Sequence, residues 1–244
     1  MFSPKRHRQL ARLLDIGSTS RILDLGCGPG RTMEEIAHIL GPGGSITGVD
    51  LKEMTFPDQL AGDARVRQVV ADVAGPLPFE DGAFDRVVSH NVLELLSDPG
   101  PFLLEAWRVL VSDGILVLGH TDFDTMVFAS DDLPLTRQLV HCFCDTTQGW
   151  MQRSDGTMGR KLAGIVAGSS FRTERVTGWI NLLTSFAPGS PGRNAAEAVA
   201  SVGRHNPDID NRSIDEWFAG LERLAERDAF LYSVNDYAIV ARKA

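Results

Sequence analysis

The sequence predicts an α/β fold in which helices wrap both faces of a largely parallel sheet, the doubly wound arrangement. From Arg21 to Gly119, short β-rich apolar runs alternate with longer helical patterns. The 244 residues suffice for one such domain with a full core. After His120 the alternation becomes irregular, which predicts an added lid, because inserts beyond strand ends are where such folds hold ligands.

The first half of the chain supplies five expected strands and two expected helices. The strand candidates are Arg21 to Leu25, Ser45 to Val49, Val66 to Val70, Phe84 to Ser89 and Gly114 to Gly119. Helical spacing covers Thr32 to Leu40 and Pro101 to Leu110. The breaker run at 41–44, Gly-Pro-Gly-Gly, is expected to end the first of these helices.

The second half predicts further helices and two closing strands. Its candidates are a helix from Leu133 to Cys144, a loop from Trp150 to Gly159, a strand from Thr173 to Ile180, helices from Ala195 to Val202 and Ser213 to Arg227, and a last strand from Tyr237 to Ala241. We therefore expect a core at 1–120, a lid and substrate-binding insertion with the sixth strand at 121–212, and a helix and last strand that complete the core at 213–244.

Composition argues against several classes of partner. The formal net charge is -8, so the protein's field repels nucleic acid and anionic lipid, and no nucleic-acid partner is expected. The basic cluster at 5–12 is interpreted as a solvated helix face. No run is long enough for a membrane span and no leader pattern is visible, so we expect a cytoplasmic protein, monomeric or homodimeric. The three cysteines fit buried thiols better than a disulfide framework or a metal site.

The turn after the first strand carries the strongest local signal. Asp24 lies in the strand, and Gly26, Cys27 and Gly28 follow at once, where glycines allow a sharp turn and close approach of a ligand. A dinucleotide-binding turn would have a third glycine at position 31, which is Arg31. The acid would repel a pyrophosphate and suits a ligand with ammonium or sulfonium groups. S-adenosylmethionine carries both.

Two more acids follow the next strands. Asp50 ends the second strand about 20 residues after the glycine turn, where a carboxylate can accept hydrogen bonds from ribose hydroxyls. Asp72 and Val73 follow the third strand, where an acid and a backbone amide would meet an adenine edge. Each acid alone is more often a turn residue, but acids at three consecutive strand ends favour a nucleoside site.

These motifs resemble class I S-adenosylmethionine-dependent methyltransferases of the ubiquinone/menaquinone-methylase-like branch. The matching text is ILDLGCGPG at 22–30, VD at 49–50, LPFEDGAFD at 77–85 and RVLVSDG at 108–114. Val-Ser-Asp at 111–113 departs from the Lys-Pro-Gly turn common in the family, at a turn away from the cofactor. The resemblance implies a seven-stranded, mostly parallel, Rossmann-like sheet whose last strand is antiparallel.

The resemblance also implies roles for individual residues. Gly26, Cys27 and Gly28 would contact the methionine part through backbone, and Asp50, with Leu51 beside it, would hold the ribose. Asp72 and Val73 would bind adenine, and Asn91 would line the side of the methyl donor. The cofactor set is therefore Asp24, Gly26, Cys27, Gly28, Asp50, Leu51, Asp72, Val73 and Asn91.

Candidates for the acceptor follow from position. His120 and Asp122, at the end of the fifth strand, are expected to do acid-base or orienting work, although a structural histidine and an N-cap acid are open alternatives. Core packing is the commoner fate of the lid aromatics. The expected substrate contacts are His90, Asp124, Trp150, Arg160, Trp179 and Tyr232, with no metal.

The predicted reaction is N- or O-methylation of a planar heterocyclic or aromatic small molecule. Segments 145–150 and 155–160 are similar to natural-product methyltransferases that modify azapteridines such as toxoflavin. The alternatives are a quinol C-methyltransferase, an enzyme acting on a macromolecule, an NAD-dependent enzyme, or a module that binds the cofactor without turnover.

Overall fold

A computed structural model describes residues 4–147 and 155–243 of the chain. In these ranges one seven-stranded sheet forms the centre of the molecule, with the order β3-β2-β1-β4-β5-β7-β6. The strands are β1 (Arg21–Leu25), β2 (Ser45–Asp50), β3 (Val66–Val70), β4 (Phe84–His90), β5 (Leu110–Phe128), β6 (Phe171–Leu183) and β7 (Tyr232–Lys243). Strands β1 to β5 pair in parallel, and β7 lies antiparallel between β5 and β6. The predicted fold class is confirmed.

Eight α-helices cover the sheet in the same ranges. They are α1 (Pro4–Leu13), α2 (Arg31–Ala37), α3 (Asp58–Ala61), α4 (Gly100–Val109), α5 (Leu133–Asp145), α6 (Met158–Ala167), α7 (Pro191–Gly203) and α8 (Asn211–Glu226). Helices α5 and α6 follow β5, in the part of the chain where the lid is predicted, and their role as a lid stays a prediction. None of the helices in 4–147 and 155–243 combines the length and apolarity needed to cross a bilayer.

Three apolar clusters hold these layers together. One lies between the sheet and α4 and α6, and another packs α1 and α2 on the opposite face. The third joins α5, α7 and α8 over the far end of β5, around Phe128 and Trp217. Because α8 packs with α5 and α7, the boundary drawn at residue 212 stays a prediction, and the packing favours placing α8 with the helical layer.

Strand β5 is far longer than the predicted Gly114 to Gly119. The prediction stopped at the end of the apolar run, because His120, Thr121 and Asp122 are polar. All three are buried in the structure, where neighbouring elements supply partners that let the strand continue to Phe128.

Helix α6 was not predicted, since its two glycines weaken the helical pattern. Gly159 has a packing reason: a Cβ there would lie 2.9 Å from Cβ of Asp122 and 2.9 Å from the ring of Tyr237. The glycine lets α6 approach β5 closely.

The interpretation of the basic cluster at 5–12 as a solvated face is wrong for one member. Arg6 is 4% exposed, and its Nε lies 3.1 Å from Oδ2 of the fully buried Asp236. Lys5, Arg8 and Arg12 are exposed, as expected. A local charge pattern cannot reveal a partner on β7, 230 residues further along the chain.

Candidate active site

A cavity of about 460 Å³ opens at the carboxyl ends of β1, β2, β3 and β4. This size is typical of small-molecule sites, and in open α/β sheets ligands bind at this edge. Its wall is formed by Gly26, Asp50, Leu51, Lys52, Met54, Asp72, Val73, Asn91, Val92, Leu95 and Leu96. The cofactor residues predicted at three strand ends are thereby brought to one cavity, while Asp24, Cys27 and Gly28 lie beside it.

The glycine turn is shaped for close approach. Gly26 has φ of +73° and Gly28 has φ of +49°, a region that favours glycine. A Cβ on Gly26 would also clash with Cγ2 of Val92 across the cavity wall. The N–H groups of Gly26 and Cys27 donate to the carbonyl of Val49 at 2.8 and 2.9 Å, which fixes the turn against β2.

Asp50 is held in place by two backbone donors. Its Oδ2 accepts from Gly28 N–H at 2.8 Å and its Oδ1 accepts from Leu51 N–H at 2.9 Å. Because each carboxylate oxygen has more than one lone pair, both can still accept a hydrogen bond from a diol. The side chain is therefore oriented before any ligand arrives.

Asp24 is a buried acid with a free oxygen. It is 2% exposed, and its Oδ2 has no hydrogen-bond partner among the described residues. Burial, with a smaller contribution from the nearby charge of Asp50, raises the pKa of Asp24 to about 7. A cation beside this oxygen would relieve both effects.

Asp72 and Asn91 stand on the other walls. Oδ1 of Asp72 accepts from Ala74 N–H at 2.9 Å, and the carboxylate is exposed to the cavity. Asn91 has φ of +54° and its Oδ1 accepts from Thr121 N–H at 2.8 Å. This hydrogen bond links Asn91, in the cavity wall, to Thr121 of β5.

A buried polar network continues from Asn91 into the molecule. Oγ1 of Thr121 donates to Oδ1 of Asp236 at 2.6 Å, and Asn181 donates to Oδ2 of the same acid at 2.7 Å. Arg6 approaches Oδ2 at 3.1 Å, although its Nε–H is not aligned for a hydrogen bond, and donates from Nη1 to Thr121 at 3.1 Å. One carboxylate therefore ties α1, β5 and β6 together behind the cavity.

The predicted catalytic residue His120 is fully buried and lies outside the cavity wall. Its Nδ1 lies 2.8 Å from the Thr121 carbonyl and its Nε2 lies 3.8 Å from Oε2 of Glu94. Burial lowers the pKa of His120 to about 4. Burial also lowers the pKa of His90, whose ring packs edge-on against His7 of α1.

The second predicted catalytic residue, Asp122, is fully buried in an ion pair with α6. Arg160 binds it in a bidentate manner, with both N–O distances at 2.7 Å, and also lies 3.0 Å from Asp124. The structure thus brings Asp122, Asp124 and Arg160 together, but with each other rather than at the cavity.

The remaining predicted substrate residues are scattered. Tyr232 is buried in the cluster around Phe128, and Trp179 packs on the face covered by α1. Trp150 lies outside the described residues. Within the ranges that are described, no three His, Cys, Asp or Glu side chains come close enough to hold a metal ion.

Sequence reasoning missed several residues at this site. Lys52 and Met54 line the cavity next to the predicted Asp50, and proximity in sequence could have indicated them. Glu94 left a clearer signal: it is a single acid in the apolar run at 92–96. It is buried, and burial, with a smaller contribution from Asp155, raises its pKa to about 8.

Comparison with known sequences defines the class of the domain. Residues 23–118 match the family model described as a methyltransferase domain. An uncharacterized 37.1 kDa transposon protein of Streptomyces fradiae is 30% identical over 67% of this chain and 46% of its own length. A demethylmenaquinone methyltransferase of Bacillus cytotoxicus is 29% identical over 52% of this chain and 57% of its own. The chain thus spans about half the length of these curated relatives.

Solved structures share the fold over nearly the whole chain. The YcgJ protein of Bacillus subtilis superposes with a TM-score of 0.61 at 18% identity, covering 98% of both chains. The [4+2]-cyclase SpnF superposes with a TM-score of 0.55 at 19% identity, covering 98% of this chain and 80% of its own. At these identities the likeness shows the fold alone.

Fold, cavity and family match together define a nucleoside-binding α/β domain of the methyltransferase type. The chain contains a class I S-adenosylmethionine-dependent methyltransferase domain, as its motifs predicted. The residues present fit S-adenosylmethionine: the glycine turn at Gly26 and the preset Asp50 carboxylate line one cavity, and the unpartnered oxygen of Asp24 lies in the strand that leads into this turn.

Proposed function

We propose that the protein transfers a methyl group from S-adenosylmethionine to a small molecule. The observation that carries this proposal is the cavity in which Asp50 and Asp72, from adjacent strand ends, face the glycine turn. An acidic wall of this kind suits a cationic nucleoside and disfavours a pyrophosphate. We propose further that the protein acts in the cytoplasm as a monomer or homodimer.

The chain's own residues would bind and orient the reactants. When bound, the cofactor supplies a sulfonium-activated methyl group. Asp50 would accept hydrogen bonds from the ribose hydroxyls, and Asp72 with Val73 would meet the adenine edge. Asp24 would face the cationic methionine part through the turn at Gly26. Since the donor is already activated, alignment of the two reactants supplies much of the acceleration.

The residues that the sequence predicts at the acceptor site are proposed to act there in different ways. His90 precedes Asn91 in the chain, and His120 precedes Thr121, whose N–H donates to Asn91, so we propose that both histidines shape the acceptor side of the cavity. Asp122 is better suited to positioning, because Arg160 occupies both of its oxygens. Arg160 itself is half exposed and retains donors for a carbonyl or carboxylate.

The acceptor class we propose is a planar heterocyclic or aromatic natural product, methylated on nitrogen or oxygen. An azapteridine of the toxoflavin type is one member of that class. The relatives named for their substrates include an arsenite methyltransferase of Aquipseudomonas alcaligenes and demethylmenaquinone methyltransferases. Quinol C-methylation is accordingly the alternative reaction, so quinols are included among the acceptors to be tested.

The test is release of S-adenosylhomocysteine from S-adenosylmethionine, measured with heterocycles, phenols and quinols as acceptors. We expect acceptor-dependent release that Asp50→Asn reduces and Glu80→Gln leaves unchanged, because Glu80 is an exposed residue outside the cavity. Tight binding of S-adenosylhomocysteine without turnover on any acceptor would contradict the proposal and favour a binding module.

Asp24 predicts how cofactor affinity depends on pH. The pKa of Asp24 is about 7 in the free protein, so the carboxyl is largely neutral below that pH. A bound ammonium group favours the ionised form, so we expect the affinity for S-adenosylhomocysteine to rise between about pH 6 and 8. Calorimetric titration checks this, and Asp24→Asn should bind more weakly with a flat pH profile. An equally steep profile in that variant would contradict the role of Asp24.

A further inference from the structure

Glu94 and His120 form a buried pair whose facing atoms are not hydrogen-bonded to each other. Oε2 of Glu94 and Nε2 of His120 are 3.8 Å apart, too far for a direct hydrogen bond. Among the described residues, Nε2 of His120 is a buried atom without a hydrogen-bond partner, and the 3.8 Å separation leaves it without one from Glu94. An unsatisfied polar atom is costly in a protein interior, so Nε2 of His120, with a carboxylate facing it beyond hydrogen-bond distance, indicates a place for a third group.

The state of His120 follows from its other contact. The Thr121 carbonyl can only accept, so Nδ1 of His120 carries the hydrogen of the 2.8 Å contact. The lowered pKa of His120, about 4, keeps the ring neutral at physiological pH. Nε2 therefore presents a lone pair toward Glu94.

The pair lies outside the lining of the cavity, but Glu94 is next to lining residues along the chain. Glu94 lies in a short 3-10 turn, Leu93–Leu95, that follows β4, and the flanking residues Val92, Leu95 and Leu96 line the cavity wall. The Glu94 side chain is 9% exposed, so its carboxylate still reaches solvent-accessible space. A hydroxyl or N–H group about 2.8 Å from each facing atom would fit between them.

We propose that Glu94 and His120 receive the nucleophilic O–H or N–H group of the methyl acceptor and that Glu94 takes its proton. This inference rests on the proposed function and narrows the acceptor to molecules whose reacting atom carries hydrogen. The acceptor's lone pair bonds to the methyl carbon, the electron pair of the C–S bond stays on sulfur, and the proton passes to Oε2 of Glu94. Once protonated, the Glu94 carboxyl presents its hydrogen to the lone pair on Nε2 of His120, which stays neutral, and Glu94 then returns the proton to solvent.

The charges around the pair favour this division of work. The pKa of Glu94, about 8, is matched to a base acting near neutral pH, whereas His120 is a weak base. Asp155, ahead of α6, and Asp122 on β5 carry negative charge nearby, and Arg6 on α1 carries positive charge. Asp155 is itself paired with Lys161 at 2.6 Å.

The test compares two phenols in the presence of S-adenosylmethionine. At mildly alkaline pH 4-nitrophenol is ionised and phenol is not, so only phenol needs a base. We expect Glu94→Gln to lower kcat on phenol by about 10²- to 10⁴-fold and on 4-nitrophenol by less than about tenfold. Glu80→Gln is the matched control. Equal losses on both phenols, or none, would overturn the proposal.

A second measurement needs no acceptor. Infrared titration of the protein bound to S-adenosylhomocysteine should show a protonated carboxyl group that ionises near pH 8 in the wild type and is missing in Glu94→Gln. A Glu94 already ionised at about pH 6 would overturn the proposal, because it would be too weak a base. A wild-type protein that methylates no acceptor would instead contradict the proposed function, and the titration would still decide the state of Glu94.

Discussion

Replacing Asp236 with alanine is expected to destabilise the protein by about 3 to 5 kcal/mol, because the change leaves a buried arginine without its partner. Asp236 is fully buried and Arg6 is 4% exposed. The same carboxylate accepts hydrogen bonds from Thr121 and Asn181, so the substitution strands donors from three elements at once. Urea unfolding followed by circular dichroism measures the loss.

Two control variants test whether the loss of stability comes from the burial of the ion pair rather than from the loss of any ion pair. Arg6→Met should cost less than Asp236→Ala, because the acid keeps its two neutral donors and the chain length is nearly conserved. Glu216→Ala removes an exposed ion pair with Arg212 on α8 and should change stability little. If Asp236→Ala and Glu216→Ala unfold at similar urea concentrations, the network behind the cavity does not stabilise the fold as described.

Replacing Asp50 with alanine is expected to weaken binding of S-adenosylhomocysteine by about 1 to 3 kcal/mol, roughly 5- to 150-fold. The substitution removes the acceptors for the ribose hydroxyls. It also frees the N–H groups of Gly28 and Leu51, which lose a partner that orders the glycine turn. Isothermal titration calorimetry measures the change directly.

Asp50→Asn provides the graded comparison. The amide keeps one acceptor oxygen in nearly the same shape, so its affinity should lie between those of the wild type and Asp50→Ala. Glu80→Gln should bind as the wild type does. Unchanged affinity in Asp50→Ala, with a folded protein, would remove Asp50 from the cofactor site.

The residues expected to bind the cofactor could be predicted because each is marked by its immediate sequence context. Asp50 and Asp72 end consecutive apolar runs, and parallel strands bring their carboxyl ends to one edge of the sheet. The two glycines at positions 26 and 28 directly predict the turn. The order of the strands is enough to place these residues at one edge, without knowledge of any side-chain contact. In the structure they line one cavity.

The acceptor half was less predictable because its contacts are distant in sequence. Asp122 binds Arg160, which lies on α6, the helix that was not predicted because its two glycines weaken the helical pattern. Arg6 binds Asp236, which is 230 residues further along the chain. Glu94 was passed over because an acid in an apolar run gives no hint of its partner, His120. Such pairs are set by tertiary packing rather than by local pattern.

The most direct test of the central claim is a crystal structure of the protein with S-adenosylhomocysteine. The account predicts a ribose whose hydroxyls lie within hydrogen-bond distance of Asp50, an adenine beside Asp72 and Val73, and an amino group on the side of Asp24. A ligand bound elsewhere, or a cavity between these acids filled by side chains in the presence of saturating ligand, would contradict it.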